Sequence, residues 1–170
     1  MIDRRILLTS AAAVAGFAGL RWLRPLAAEA GDTPAQKFEI EKTPEEWRRQ
    51  LTPMQYKILR EHGTETPGSS PLLHEKRKGV FSCAGCDLPL FASETKFESG
   101  TGWPSFYKPI DNAIGETVDK SYGMVRTEVH CRRCGGHMGH VFDDGPPPTG
   151  LRYCIDGFGL TFKPASPSAT

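Results

Sequence analysis

Five residues of this chain are cysteines, and their spacing separates them into two kinds of chemistry. Cys83 and Cys86 form one C-x-x-C pair and Cys131 and Cys134 another; a duplicated pair reads as a four-thiolate site for one structural zinc ion. Each pair could instead be a disulfide or a thioredoxin-like redox couple, although a redox couple needs no twin. Asp87 and Gly135 stand where c-type haem attachment requires His. A closed four-thiolate zinc site is redox-inert, so its work is stability. Cys154 is left alone in the alternating run Gly150-Leu151-Arg152-Tyr153-Cys154-Ile155-Asp156, which predicts a strand with Arg152, Cys154 and Asp156 on one face. A guanidinium two residues away favours a thiolate, making Cys154 a candidate nucleophile. The competing role is a small buried apolar residue.

Two other stretches are dense in functional side chains. In His137-Met138-Gly139-His140-Val141-Phe142-Asp143-Asp144, two imidazoles stand three apart with a carboxylate four further on, a set that could bind metal or move protons. As a zinc site it is incomplete, and His140, Phe142 and Asp144 are expected on one strand face. Gly145 to Gly150 reads as a hairpin loop that carries this strand back as the Cys154 strand. His140 and Cys154 then lie near one another, and register decides whether they share a face. A lone thiol beside an imidazole is a nucleophile–base arrangement. In Ser99-Gly100-Thr101-Gly102-Trp103-Pro104-Ser105-Phe106, the glycines and proline shape a loop on which Trp103 either walls an apolar pocket or packs in the core.

The elements that must position these groups are short. Gly79 to Cys83 leads into the first thiol pair and Leu88 to Phe91 leaves it; Met124 to His130 leads into the second, each a strand followed by a thiol-bearing turn. Many Gly and Pro residues between short apolar runs point to a mainly β, loop-rich fold. Thr43-Pro44-Glu45-Glu46 has the form of a capping box with Pro at the first helical position. A second helix starts at Thr52-Pro53, with Met54, Ile58 and Leu59 at helical spacing until His62-Gly63. Both helices are expected outside the core and without chemistry, and Thr64 to Pro71 reads as a linker.

Residues 1–30 combine Arg4-Arg5, an apolar run from Ile6 to Leu20 and small residues around Ala28 and Ala30, which predicts a twin-arginine export signal and a bacterial periplasmic location. A retained anchor is the alternative, but the run falls short of the roughly 20 apolar residues of a stable membrane span. A flexible leader over 31–42, one domain over 43–165 and a polar tail over 166–170 complete the expected organisation. Beyond the signal, 17 basic and 18 acidic side chains remain, a balance that offers no electrostatic case for a nucleic-acid partner. Nothing in the pattern suggests more than a monomer.

Taken in order, SGTGWPSF, the two C-x-x-C pairs, HMGHVFDDGPPPTG and GLRYCIDG closely resemble B-type peptide methionine sulfoxide reductases over roughly residues 40 to 163. The resemblance implies two antiparallel sheets, a zinc ion held by Cys83, Cys86, Cys131 and Cys134, and action on the R-epimer of methionine sulfoxide in oxidised proteins or peptides. It also implies catalysis by Cys154 with His137, His140, Asp144 and Arg152, and a pocket containing Trp103, with Phe142 and Asp156 beside it as substrate contacts. In such a reaction the thiolate attacks sulfur while an imidazolium, of His140 or His137, protonates the leaving oxygen, and a sulfenic acid remains. Two positions depart from the family pattern. Thr101 stands where many members carry a resolving cysteine, which implies regeneration by an external, thioredoxin-like or other thiol. Asp156 stands where Asn is usual, and an added carboxylate near the nucleophile should raise its pKa. A non-catalytic zinc-scaffold module of the same fold is the alternative, though it would require neither Cys154 nor the histidines.

Overall fold

A computed structural model describes residues 37–166; the expected export signal lies outside them. Among these residues no helix is long and apolar enough to cross a membrane. Among the described residues two α-helices precede nine strands. Helix α1 (Pro44–Gln50) and helix α2 (Pro53–Glu61) each begin with the predicted capping box, Thr43 with Glu46 and Thr52 with Gln55. These local reciprocal bonds satisfy backbone donors that a helix cannot pair for itself.

The helices are not accessory. Trp47, Leu51, Ile58 and Leu59 are all buried, and Gln50 donates to the Gly85 carbonyl at 2.6 Å while Arg60 donates to that of Cys134 at 3.0 Å. Each helix therefore braces one of the two thiol-bearing turns. Apolar residues that recur at helical spacing give a helix a face to bury, and here that face is needed to close the core. The expected leader contributes too: the Phe38 ring packs edge-on to His130 at 5.6 Å and Ile40 donates to the Arg133 carbonyl at 3.0 Å.

All strand pairs are antiparallel and form two sheets. The smaller has the order β2-β1-β9, with β1 (Gly79–Cys83), β2 (Pro89–Ala92) and β9 (Leu160–Pro164). The larger has the order β3-β4-β8-β7-β6-β5, with β3 (Lys96–Phe97), β4 (Ser105–Phe106), β5 (Ile114–Asp119), β6 (Arg126–Cys131), β7 (His137–Phe142) and β8 (Arg152–Ile155). Phe81, Phe91 and Phe106 lock the sheets together, Phe91 and Phe106 stacked at 4.4 Å and Phe81 edge-on to Phe106 at 5.1 Å. Burial of such rings supplies most of the driving force in a core of this size. The expected strand over Met124 to His130 begins later, at Arg126, and Val125 is 77% exposed.

The segment Thr64 to Pro71 is not a free linker. Glu65 is buried, and its carboxylate accepts from the backbone N–H groups of Gly157 and Phe158 at 2.9 and 2.8 Å. Its own N–H donates to Asp156 Oδ1 at 2.9 Å. Polar, turn-rich composition marks irregular backbone but cannot report that one of its carboxylates closes a turn more than ninety residues away in sequence.

Candidate active site and metal centre

The four paired cysteines converge. Cys83 and Cys134 Sγ lie 3.7 Å apart, Cys86 and Cys131 Sγ 3.5 Å apart, and all four sulfurs fall within 4.8 Å of one another. None is in a disulfide. A tetrahedron with zinc–sulfur bonds of about 2.3 Å has sulfur–sulfur edges of about 3.8 Å, so the set fits that ion. Cys83 ends β1 and Cys131 ends β6, and each turn folds its second thiol back beneath the first. Hydrogen bonds with Cys131 and its other sulfur neighbours, together with burial, push the Cys83 thiol far above its ordinary range. A dication removes that obstacle by binding the thiolates directly.

Cys154 lies on β8 in the larger sheet, and the register of that sheet builds a row around it. Ser105 on β4 faces Cys154, Cys154 faces His140 on β7, His140 faces Glu128 on β6, and Glu128 faces Thr117 on β5. Opposed residues of antiparallel strands present their side chains to the same face, so thiol and imidazole are direct cross-strand neighbours. The hairpin loop between them closes with mutual backbone contacts, Gly145 N–H to Gly150 O at 2.9 Å and Gly150 N–H to Pro146 O at 3.0 Å.

His137 reaches the same face by a different route. Residues three apart on a regular strand point to opposite faces. Here a bulge pairs Val129 with Gly139 but His130 with His137, leaving Met138 as the extra residue and fully buried in the core. The bulge flips the alternation, so the His137 and His140 rings meet edge-on at 5.5 Å. Gly139 makes this possible: its φ is +139°, and a Cβ there would lie 2.1 Å from the Cys154 carbonyl oxygen.

A pocket of about 150 Å³ opens over the thiol, lined by Cys154, His140, Trp103, Phe142, Asp156 and Thr64, with Gly139 and Arg126 completing it. Trp103 is held by the loop of Gly100 and Gly102, where Ser99 Oγ bonds both Thr101 Oγ1 at 2.9 Å and Ser105 Oγ at 2.7 Å. The buried indole N–H of Trp103 finds no acceptor among the described residues. Thr101 Oγ1 is 4.0 Å from Cys154 Sγ. Arg152 forms a two-bond fork with Asp144, at 2.8 and 2.9 Å, and its guanidinium lies over the Phe142 ring at 4.5 Å. Asp144 thus lies beyond the end of β7 and holds Arg152 rather than entering the pocket. His137 is absent from the thiol pocket and lines an adjoining cavity of about 330 Å³ that shares His140, Thr64 and Arg126 with it.

The charges around the row have distinct causes. Burial pushes the Cys154 thiol up; Arg152 and Thr101 oppose it and Asp156 adds to it. Burial pushes His140 down, against the hydrogen bond that its Nε2 makes to Asp119 Oδ2 at 2.8 Å. Asp119 is itself held well below the usual carboxylate range, first by Ser121 and then by His140 and Arg126. Burial pushes Asp156 up to about 7, even though the Glu65 N–H favours its charged form. At neutral pH the resting proton therefore belongs on sulfur rather than on His140.

Glu128, Asp119, Thr64 and His62 were not singled out by sequence. Alternation on β6 does place Glu128 on the face of Arg126, but only strand register reveals that this is the face of His140. His62, which ended the second predicted helix, adopts a left-handed conformation as the C-cap of α2, and its Nδ1 comes within 3.0 Å of Glu128 Oε1.

The chain matches the family model described as the SelR domain over residues 51–164. It is 56% identical over 127 residues to a protein of Agrobacterium fabrum named peptide methionine sulfoxide reductase MsrB, covering 74% of this chain and 94% of that protein. Proteins of the same name from Pseudomonas putida and Methanosarcina barkeri are 60% and 57% identical, over 74% and 76% of this chain and 96% and 91% of their own lengths.

Proposed function

The chain belongs to the SelR-domain family, and from that premise we propose that it reduces methionine R-sulfoxide in oxidised peptides and proteins, with Cys154 as nucleophile. The observation that carries this reading is the direct cross-strand facing of Cys154 and His140 beneath a pocket walled by Trp103 and Phe142. An apolar cavity of this size suits a methyl thioether, and His140 and Cys154 supply the polar chemistry along one edge.

The proton balance follows from the resting state. The thiol hands its proton to the neutral imidazole of His140, and the thiolate attacks the sulfoxide sulfur. That attack forms a sulfur–sulfur bond while the imidazolium returns the proton to the sulfoxide oxygen; the adduct then collapses, its S–S bond and the methionine S–O bond breaking as the hydroxyl passes to Cys154 sulfur. Methionine and a sulfenic acid result, with no net proton consumed. Asp119, ionised and bonded to His140, orients the ring and steadies its transient charge. Arg152, fixed by Asp144, supports the thiolate. Two external thiols then return the sulfenic acid to thiol, releasing water and a disulfide; a thioredoxin-like donor has the right chemistry. Thr101, whose Oγ1 lies 4.0 Å from Cys154 Sγ, offers no sulfur to resolve it. The other four cysteines would remain with zinc, loaded before export along the twin-arginine route to the periplasm, a route supported by Arg4-Arg5 and the apolar run after them.

The test uses the zinc-loaded protein, dithiothreitol, and peptides carrying the R- or S-sulfoxide. Methionine should form from the R-epimer only, and Cys154→Ser should lower turnover by roughly a thousandfold or more. Reduction that survives Cys154→Ser, or wild-type protein without activity, refutes the proposal.

A further inference from the structure

Next to the thiol pocket, three side chains from the C-cap of α2, from β6 and from β7 converge outside the chemistry proposed above. His62 Nδ1 and His137 Nδ1 lie 3.0 and 2.7 Å from the same oxygen, Oε1 of Glu128. The two rings are 5.1 Å apart, and the three ligand-type atoms fall within 4.8 Å of one another. His137 is buried, Glu128 nearly so, and His62 has 65% of its side chain exposed. The cluster therefore has a fixed floor and one solvent-facing arm, at the edge of the 330 Å³ cavity where water could complete a coordination shell.

We propose that His62, Glu128 and His137 form a second metal site, separate from the four-thiolate cluster, for a divalent transition ion that favours nitrogen ligands, such as zinc, cobalt or nickel. Two imidazoles and one carboxylate with open positions are a donor set suited to these ions. An ion would bind both Nδ1 atoms and Glu128 in place of their mutual hydrogen bonds, each bound imidazole carrying its proton on Nε2. Thr117 Oγ1 donates to the other Glu128 oxygen, Oε2, at 2.7 Å, an outer bond of the kind that orients a ligating carboxylate. His62, in the left-handed C-cap conformation of α2, lays its ring against Glu128 on β6 and His137 on β7.

The same ion would regulate the reaction proposed above, and this second half rests on that reading. A dication on His137 would sit one ring away from His140, whose ring centroid lies 5.5 Å from that of His137. With its water shell it would fill part of the cavity that shares His140, Thr64 and Arg126 with the thiol pocket, so an occupied site obstructs the reacting imidazole and slows the sulfoxide step. The exposed arm makes occupancy responsive to free metal outside, unlike the closed thiolate cluster.

Binding is tested first, without turnover. Cobalt(II) is added to protein whose thiolate cluster is filled with zinc, in a Cys154→Ser background so that no free thiol remains. One cobalt per chain should bind with weak visible absorption and no near-ultraviolet sulfur-to-cobalt charge transfer. His62→Ala, a change at an exposed position, and Glu128→Gln should each weaken it at least about tenfold. Absence of a second ion, or binding unaffected by both substitutions, overturns the site. Regulation is tested on protein with Cys154 intact and no external thiol, following the single burst of methionine from an R-sulfoxide peptide. Cobalt should slow the burst several-fold, and His62→Ala should remove most of that effect relative to its own metal-free rate. A burst insensitive to bound cobalt overturns the regulation, whereas no burst in metal-free wild type overturns the reductase reading instead.

Discussion

Four thiols of this protein and the fifth are held in opposite ways. Cys83, Cys86, Cys131 and Cys134 stand on tight turns at strand ends with only other sulfurs at their centre, 3.5 and 3.7 Å apart across the cluster. Cys154 stands within a strand, faces an imidazole and a serine, and has Thr101 rather than sulfur beside it. The first arrangement packs four ionisable thiols so closely that all of them can ionise together only around a cation. The second leaves one thiol at the foot of a pocket, with Arg152 easing its ionisation and His140 placed for its proton. The chemistry of a cysteine here follows from how many sulfurs surround it and whether a pocket opens above it.

The sharpest way to break this contrast is to remove one member of each group. Cys131→Ser should destabilise the domain by about 5 kcal/mol or more, read from the denaturant midpoint, because a lost zinc ligand is a lost part of folding. Cys154→Ser should shift the same midpoint by less than about 1 kcal/mol. Equal effects would mean that Cys154 is structural after all. His140→Gln sharpens the reactive side: turnover should fall roughly 100-fold or more with little loss of stability, and a smaller effect would return the proton role to His137.

Asp156 tests how far burial controls the pocket. Its folded pKa of about 7 lies above the ordinary 3.8, so its contribution to stability is fully present below about pH 4 and is lost as pH rises through about 7. Asp156→Asn keeps an acceptor for the Glu65 N–H without that titration. The stability lost between pH 5 and 8 should shrink by roughly 3 kcal/mol in the variant, and an unchanged pH dependence would mean that another group governs it. The smallest effect is expected at Arg152→Gln, which removes a cation that favours the Cys154 thiolate. Alkylation of Cys154 in zinc-loaded protein should slow about threefold at pH 8; a faster reaction would show that the guanidinium shields the thiol more than it activates it.

What sequence could reveal followed the range of the interactions. The capping boxes at Thr43 and Thr52 and the paired thiol spacing are complete within a few residues, and both helices and both thiol-bearing turns were legible from them. The hairpin placing His140 beside Cys154 was legible as a connection, but its register was not, since nothing local fixes which residues oppose. The bulge at Met138 was hidden for the same reason: the H-x-x-H spacing alone would put His137 and His140 on opposite faces. Glu65 was misread as part of a linker, and His62, correctly read as a helix end, gave no sign of its contact with Glu128. Their partners, Gly157, Phe158 and Glu128, arrive from other elements, and only the folded chain brings them there.

The strand order of the larger sheet carries one further consequence. From β5 to β8 the chain runs as successive hairpins, and β3 pairs with its neighbour β4; among the described strands of that sheet, only the β4–β8 seam joins non-consecutive elements. Closing it encloses the whole meander in one long loop, an entropic toll that the adjacent hairpins do not meet. Cys154 pairs with Ser105 across that seam, so the thiol and the imidazole meet on the local side while the Trp103 loop arrives from the distant one. A nascent chain can thus hold the reacting pair before it has a pocket, and the catalytic cavity becomes a marker for the last long-range closure of the sheet rather than for its first turns.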